Sequence, residues 1–149
     1  MKGVRVHVQR SDESVVRVGR LGFSAIRRAA LAAADAMDVT EAELSFTLLG
    51  DDAIAGLNRR FLSHDGPTDV LSFPLFEKGE MPVGDVYIGV EQAVRQANAH
   101  GIPLTEELAR LAIHGTLHVL GMDHPDDESR ESSEMWIAQE RILDLVMPS

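Results

Sequence analysis

The sequence predicts a single α+β domain with α/β-like alternation: a small mixed four-stranded sheet packed by about five helices. Three observations predict it. Stretches of period-two apolar alternation take turns with stretches of helical periodicity, and helical patterns dominate toward the C-terminus. The 149 residues, 44% of them apolar and 26% charged, fit one soluble globular domain with a real core, taken as residues 1–149. Neither an internal repeat nor a linker divides the chain.

Each element follows from its pattern. Val4-Arg5-Val6-His7-Val8 alternates apolar and polar, as a strand does. Phe23 to Met37 is alanine-rich, with Ile26, Ala30 and Ala34 on one stripe, and is expected to be a helix capped by Ser24. Glu43 to Leu49 is the second expected strand, with Leu44, Phe46 and Leu48 on one face. A helix then runs through Ile54, Leu57, Asn58 and Phe61, with Asp51 or Asp52 at its N-terminus. Thr68 to Phe73 is a third strand stopped by Pro74, and Gly84 to Val90 a fourth. Helices follow from Glu91 to about Ala99 and from Pro103 onward. After a polar turn opened by Pro125, a last amphipathic helix uses Met135, Ile137, Ile142 and Leu145.

Composition bounds the chemistry. There are no cysteines, so any metal is held by His and carboxylates. The start, MKGVRVHVQRSDE, has no apolar core segment, and no apolar run has membrane-spanning length. The expected setting is therefore the cytoplasm, without a membrane partner. The net charge of −10 is unevenly spread: residues 1–30 carry +5 and residues 122–149 carry −6. The acidic end reads as a solvated surface. The basic start fits either a solvated surface or a polyanion contact.

The most specific stretch is His114-Gly115-Thr116-Leu117-His118-Val119-Leu120-Gly121-Met122-Asp123-His124. His114 and His118, one turn apart, share a helix face. Gly121 offers a helix stop, and His124 can fold back toward the pair. An HxxxH pair alone arises often by chance. The third His, the glycine and the apolar framing by Ile113, Leu117 and Leu120 favour a catalytic zinc tripod with a fourth position for water. Asp123 is a candidate acceptor for the remaining ring nitrogen of a ligand, or a cap for the turn. Zinc is the expected cofactor, one per chain, with nickel or another divalent transition metal as substitutes. Zinc peptidases carry a Glu after the first His as general base; here Gly115 stands there, which weakens a peptidase reading. A closed structural metal site, with His64 as fourth ligand, is a third reading.

A second segment, LNRRFLSHDGPTDVLSFP at residues 57–74, embeds Thr68, Asp69 and Ser72 in an otherwise apolar strand. Together the two segments resemble the YbeY family of endoribonucleases. HGTLHVLGMDH follows that family's H-G-x-L-H-L-x-G-x-D-H, differing at Val119. The upstream segment follows L-N-x-x-Y-R-x-x-D-x-P-T-[DN]-V-L-S-F-P, and VGDVYIGV matches the G-D segment. The likeness runs from Leu44 to Glu134 and implies a zincin-like fold with His114, His118 and His124 as zinc ligands. It also implies cleavage of single-stranded RNA, in small-subunit ribosomal RNA 3′-end maturation and ribosome quality control. Ribosomal RNA, and the ribosome or ribosomal proteins, are then the expected partners. The chain departs from the pattern where the family's arginine falls on Leu62, which cannot offset a phosphate charge. Arg59, three residues earlier on the expected helix, is the substitute catalytic cation this reading nominates.

Overall fold

The computed structural model describes residues 3–11, 18–122 and 133–147. Among them run β1 (Val4–Arg10), α1 (Gly19–Ala36), β2 (Ala42–Leu49), α2 (Asp51–Leu62), β3 (Val70–Pro74), β4 (Val83–Gly89), α3 (Val90–His100), α4 (Leu104–Val119) and α5 (Glu134–Val146). The sheet order is β1-β2-β4-β3. β1, β2 and β4 are parallel, and β3 runs antiparallel along β4 as an edge strand. The expected mixed four-stranded sheet and five helices are therefore present. No helix of the described residues is long and apolar enough to cross a membrane.

The core lies between the sheet and α1, α4 and α5. Leu44, Phe46, Leu48, Val86 and Ile88 point from the strands into it and are fully buried. The alanines of α1 explain the close helix packing: Ala29, Ala30, Ala33 and Ala34 are fully buried and let α1 press against α4. Two basic residues of the N-terminal third have structural work. Arg27 Nη1 donates to the Val6 carbonyl at 2.6 Å, and Arg28 Nη1 to the Val146 carbonyl at 3.4 Å.

Three expectations are corrected. Helix α1 begins at Gly19, its N-cap is Val18, and Ser24 is inside the helix rather than capping it. Burial of Gly22 and Ala25 against the core outweighs the low helix propensity of glycine. β3 does end at Pro74, but the proline is its last paired residue, opposite Gly84, tolerated because β3 is an edge, and the strand begins at Val70 rather than Thr68. On α5, Ile137 and Leu145 are 47% and 76% exposed, and the buried face is Met135, Gln139, Ile142 and Leu143. Residue 137 lies about 200° round the helix from Met135, so it cannot share that face.

Candidate metal centre

Helix α4 brings His114 and His118 together by its own pitch. Their ring centroids are 5.3 Å apart, with the planes inclined at 60°. The helix ends one residue past His118 in a Schellman turn. Met122 N donates to the Leu117 carbonyl at 2.9 Å, and Gly121 N to the His118 carbonyl at 3.1 Å. Gly121 has φ of 106°, a conformation glycine accepts without strain. The sequence thus places the stop correctly. His124 and Asp123 lie outside the described residues.

Gly115 has a steric reason to be glycine. A Cβ there would stand 2.5 Å from Val86 Cγ1 and 3.2 Å from Ser72 Oγ. Gly84 makes the reciprocal contact: its Cβ would meet Val119 Cγ1 at 2.5 Å. The last turns of α4 therefore lie directly on β4 and β3. The position where zinc peptidases hold a glutamate base has no space for any side chain.

One ring of the pair is oriented by a residue the sequence reading did not single out. His114 Nδ1 lies 2.7 Å from Gln139 Oε1, on α5. Gln139 Nε2 in turn donates to Glu140 Oε2 at 3.1 Å, and a carboxylate can only accept. The amide oxygen is thereby turned toward His114, whose Nδ1 carries the hydrogen. In the neutral ring this leaves the lone pair on Nε2, the arrangement in which metal-binding histidines are held. Gln139 is 2% exposed, and Glu140 is anchored by Arg110 Nε at 3.0 Å. The available signal was a polar residue on the buried stripe of α5, between Met135 and Ile142.

The α2–β3 connection forms the opposite wall. The two rings share a cavity of about 400 Å³ with Leu62, His64, Asp69 and Ser72. Asn58, 5% exposed, ties this loop to α2 by donating to the Gly66 carbonyl at 3.0 Å. Gly89 N holds the Asp69 carbonyl at 2.8 Å. Leu62 lines the cavity and Arg59 does not. The Arg59 guanidinium lies 3.8 Å from Asp65 Oδ1, with the two side chains 73% and 97% exposed. Among the described residues no three His, Asp or Glu side chains converge as a ready cation site, so His64 does not complete one with His114 and His118.

The donor set suits a divalent transition metal: two imidazoles on one helix face, one with its ring orientation fixed by Gln139.

Comparison with known proteins places the chain as a whole. The sequence matches the family described as Endoribonuclease YbeY over residues 9–146. An Endoribonuclease YbeY of Moorella thermoacetica is 46% identical over 138 residues, covering 85% of this chain and 87% of its own. One of Mycolicibacterium paratuberculosis is 39% identical over 149 residues, covering 92% and 81%. A Thermotoga maritima protein with a solution structure superposes with a TM-score of 0.64 at 25% identity, covering 95% of this chain and 88% of that one. Matched by the family over residues 9–146 and by relatives that cover most of its length, the chain belongs to the YbeY family of endoribonucleases.

Proposed function

We propose that this protein is a metal-dependent endoribonuclease that cleaves single-stranded RNA, and that it acts at the 3′ end of small-subunit ribosomal RNA and in ribosome quality control. Family membership supports the reaction class. The observation that supports the metal dependence is the His114–Gln139 hydrogen bond, which fixes the ring's orientation beside His118. His114, His118 and His124 would hold the ion, with zinc the favoured occupant. Such an ion supplies Lewis acidity toward a phosphoryl oxygen and acidifies a water.

The chain's own residues supply the rest. Gln139 orients His114. Asp69 and Ser72 add polar groups to the cavity that the rings line. Arg59 is the cation that offsets substrate charge. Its pairing with Asp65 is long and exposed, so it costs little to release toward a phosphate. The net charge of −10 opposes tight non-specific RNA binding, which suits an enzyme brought to its RNA by the ribosome or a ribosomal protein.

Metal analysis of the purified protein, paired with RNA cleavage by wild type and His114→Ala, tests this reading. We expect one zinc per chain in the wild type, and loss of both metal and cleavage in the variant. Cleavage that persists without metal overturns it. Analysis of the product ends identifies the nucleophile, since a 2′,3′-cyclic phosphate arises only by attack of the ribose 2′-hydroxyl.

A further inference from the structure

A second cavity, of about 420 Å³, adjoins the first. The two have Asp69, Val70 and His114 in common, so they meet at the metal-site histidine. Its size falls within the range of small-ligand sites, about 300–1,000 Å³. We infer that this cavity receives the base of the nucleotide at the cleavage point, and that it favours a base bearing an exocyclic amine. The inference rests on the RNA-cleaving reading above and names the part of the substrate that the second cavity holds.

Charge decides what enters. Asp69, Glu107 and Glu140 line the cavity against one arginine, Arg110. That guanidinium is committed: Nη1 donates to Glu107 Oε1 at 2.9 Å, Nε to Glu140 Oε2 at 3.0 Å and Nη2 to Glu140 Oε1 at 3.2 Å. Among the described lining residues a phosphate would therefore meet net negative charge and no uncommitted arginine or lysine. A neutral base would not.

Beside the carboxylates, His100 adds an acceptor, while the indole N–H of Trp136 and the amides of Gln96 and Gln139 are donors, the amides already turned to Glu107 and Glu140. His100 Nδ1 faces the Gln96 carbonyl at 2.9 Å and must donate to it, which leaves Nε2 an acceptor in the neutral ring. Asp69 receives a long hydroxyl contact from Thr68, 3.4 Å to Oδ1. The carboxylates and His100 favour donors: the amino groups of adenine, cytosine or guanine fit, whereas uracil offers only its N3–H, flanked by two carbonyl oxygens that face the same carboxylates. Trp136 supplies a ring surface for stacking. Contiguity with the first cavity lets one nucleotide place its phosphate beside His114 and His118 and its base against Trp136.

The chain has one tryptophan, so its fluorescence reports this cavity alone. Titration of the wild-type protein with the four nucleosides is expected to give saturable quenching by at least one amino-bearing nucleoside. Uridine should bind roughly tenfold more weakly, and ribose 5-phosphate should leave the emission unchanged. Trp136→Ala should raise KM for RNA by about tenfold, with kcat and metal content retained. Absence of saturable quenching by every nucleoside, or quenching by uridine as strong as by the others, overturns the inference while leaving RNA cleavage standing. A protein that binds nucleosides yet cleaves no RNA overturns the functional reading instead.

Discussion

The two walls of the cavity beside His114 and His118 are built on opposite plans. The α4–α5 wall is locked. His114, Gln139, Glu140 and Arg110 form an unbroken hydrogen-bonded chain, and Glu107, 4% exposed, closes it from the other side of Arg110. The α2–β3 wall is open. Arg59, Phe61, Leu62 and His64 are exposed, and the Arg59–Asp65 ion pair is loose. The difference teaches where each demand is met. Imidazoles that must converge on one cation need fixed rings, and burial with saturated hydrogen bonds supplies that. A wall that meets a flexible polyanion does better with side chains free to adjust.

The largest effect is expected from filling the contact beneath the locked wall. Gly115→Glu has no room between α4 and β4, where even a Cβ would stand 2.5 Å from the fully buried Val86. We expect it not to fold natively. Gly115→Ala should lose about 1–3 kcal/mol to overpacking, in spite of alanine's better helix propensity. Denaturant unfolding measures both. A Gly115→Glu protein as stable as wild type would contradict the close approach of α4 to the sheet and reopen the peptidase reading.

Next in size is the lock itself. Gln139→Leu removes the acceptor for His114 Nδ1–H and frees the ring to adopt the other tautomer. Metal affinity should fall about 10–100-fold, read by competition with a chelator. Gln139→Glu keeps an acceptor at the same reach and should recover part of that loss. If neither substitution moves metal affinity while both lower stability equally, Gln139 acts only in packing.

This wall also shows what a sequence reveals and what it hides. The His114–His118 pair and the Gly121 stop were legible because they are local: helical pitch and a left-handed glycine are properties of adjacent residues. Gln139 was not legible, because its partner is 25 residues away and the pairing depends on how α5 packs on α4. The reason for Gly115 was hidden likewise, since Val86 reaches it across the sheet–helix interface. Sequence placed Arg59 and Leu62 on roughly one helix face. The structure separates their side chains: Leu62 lines the cavity and Arg59 leans toward Asp65. A three-residue step turns a helix about 300°, and a long exposed side chain follows its partner rather than the helix phase.

Smaller effects are expected on the open wall. Arg59→Ala should weaken RNA cleavage several-fold through KM and flatten its salt dependence, with metal content unchanged, because one phosphate contact is lost. Leu62→Arg places a cation directly in the cavity wall and should raise cleavage above wild type. An unchanged salt slope in Arg59→Ala would remove Arg59 from the substrate path.

The smallest change separates structure from function at that same residue. Asp65 is almost fully exposed, and at 3.8 Å its contact with Arg59 is longer than a hydrogen bond. Such pairs contribute about 0–1 kcal/mol, so Asp65→Ala should leave stability within roughly 0.5 kcal/mol of wild type. It also removes a negative charge beside the nominated phosphate-binding guanidinium. RNA affinity at low salt should therefore rise modestly, and the gain should vanish at high salt, where charge interactions are screened. Because folding is barely touched, any gain belongs to the change of charge, either through Arg59's release or through Asp65 itself. The double variant Arg59→Ala with Asp65→Ala decides the matter: if it keeps the whole gain, Asp65 acts by its own charge on the RNA, and the loose ion pair has no part in holding the arginine back.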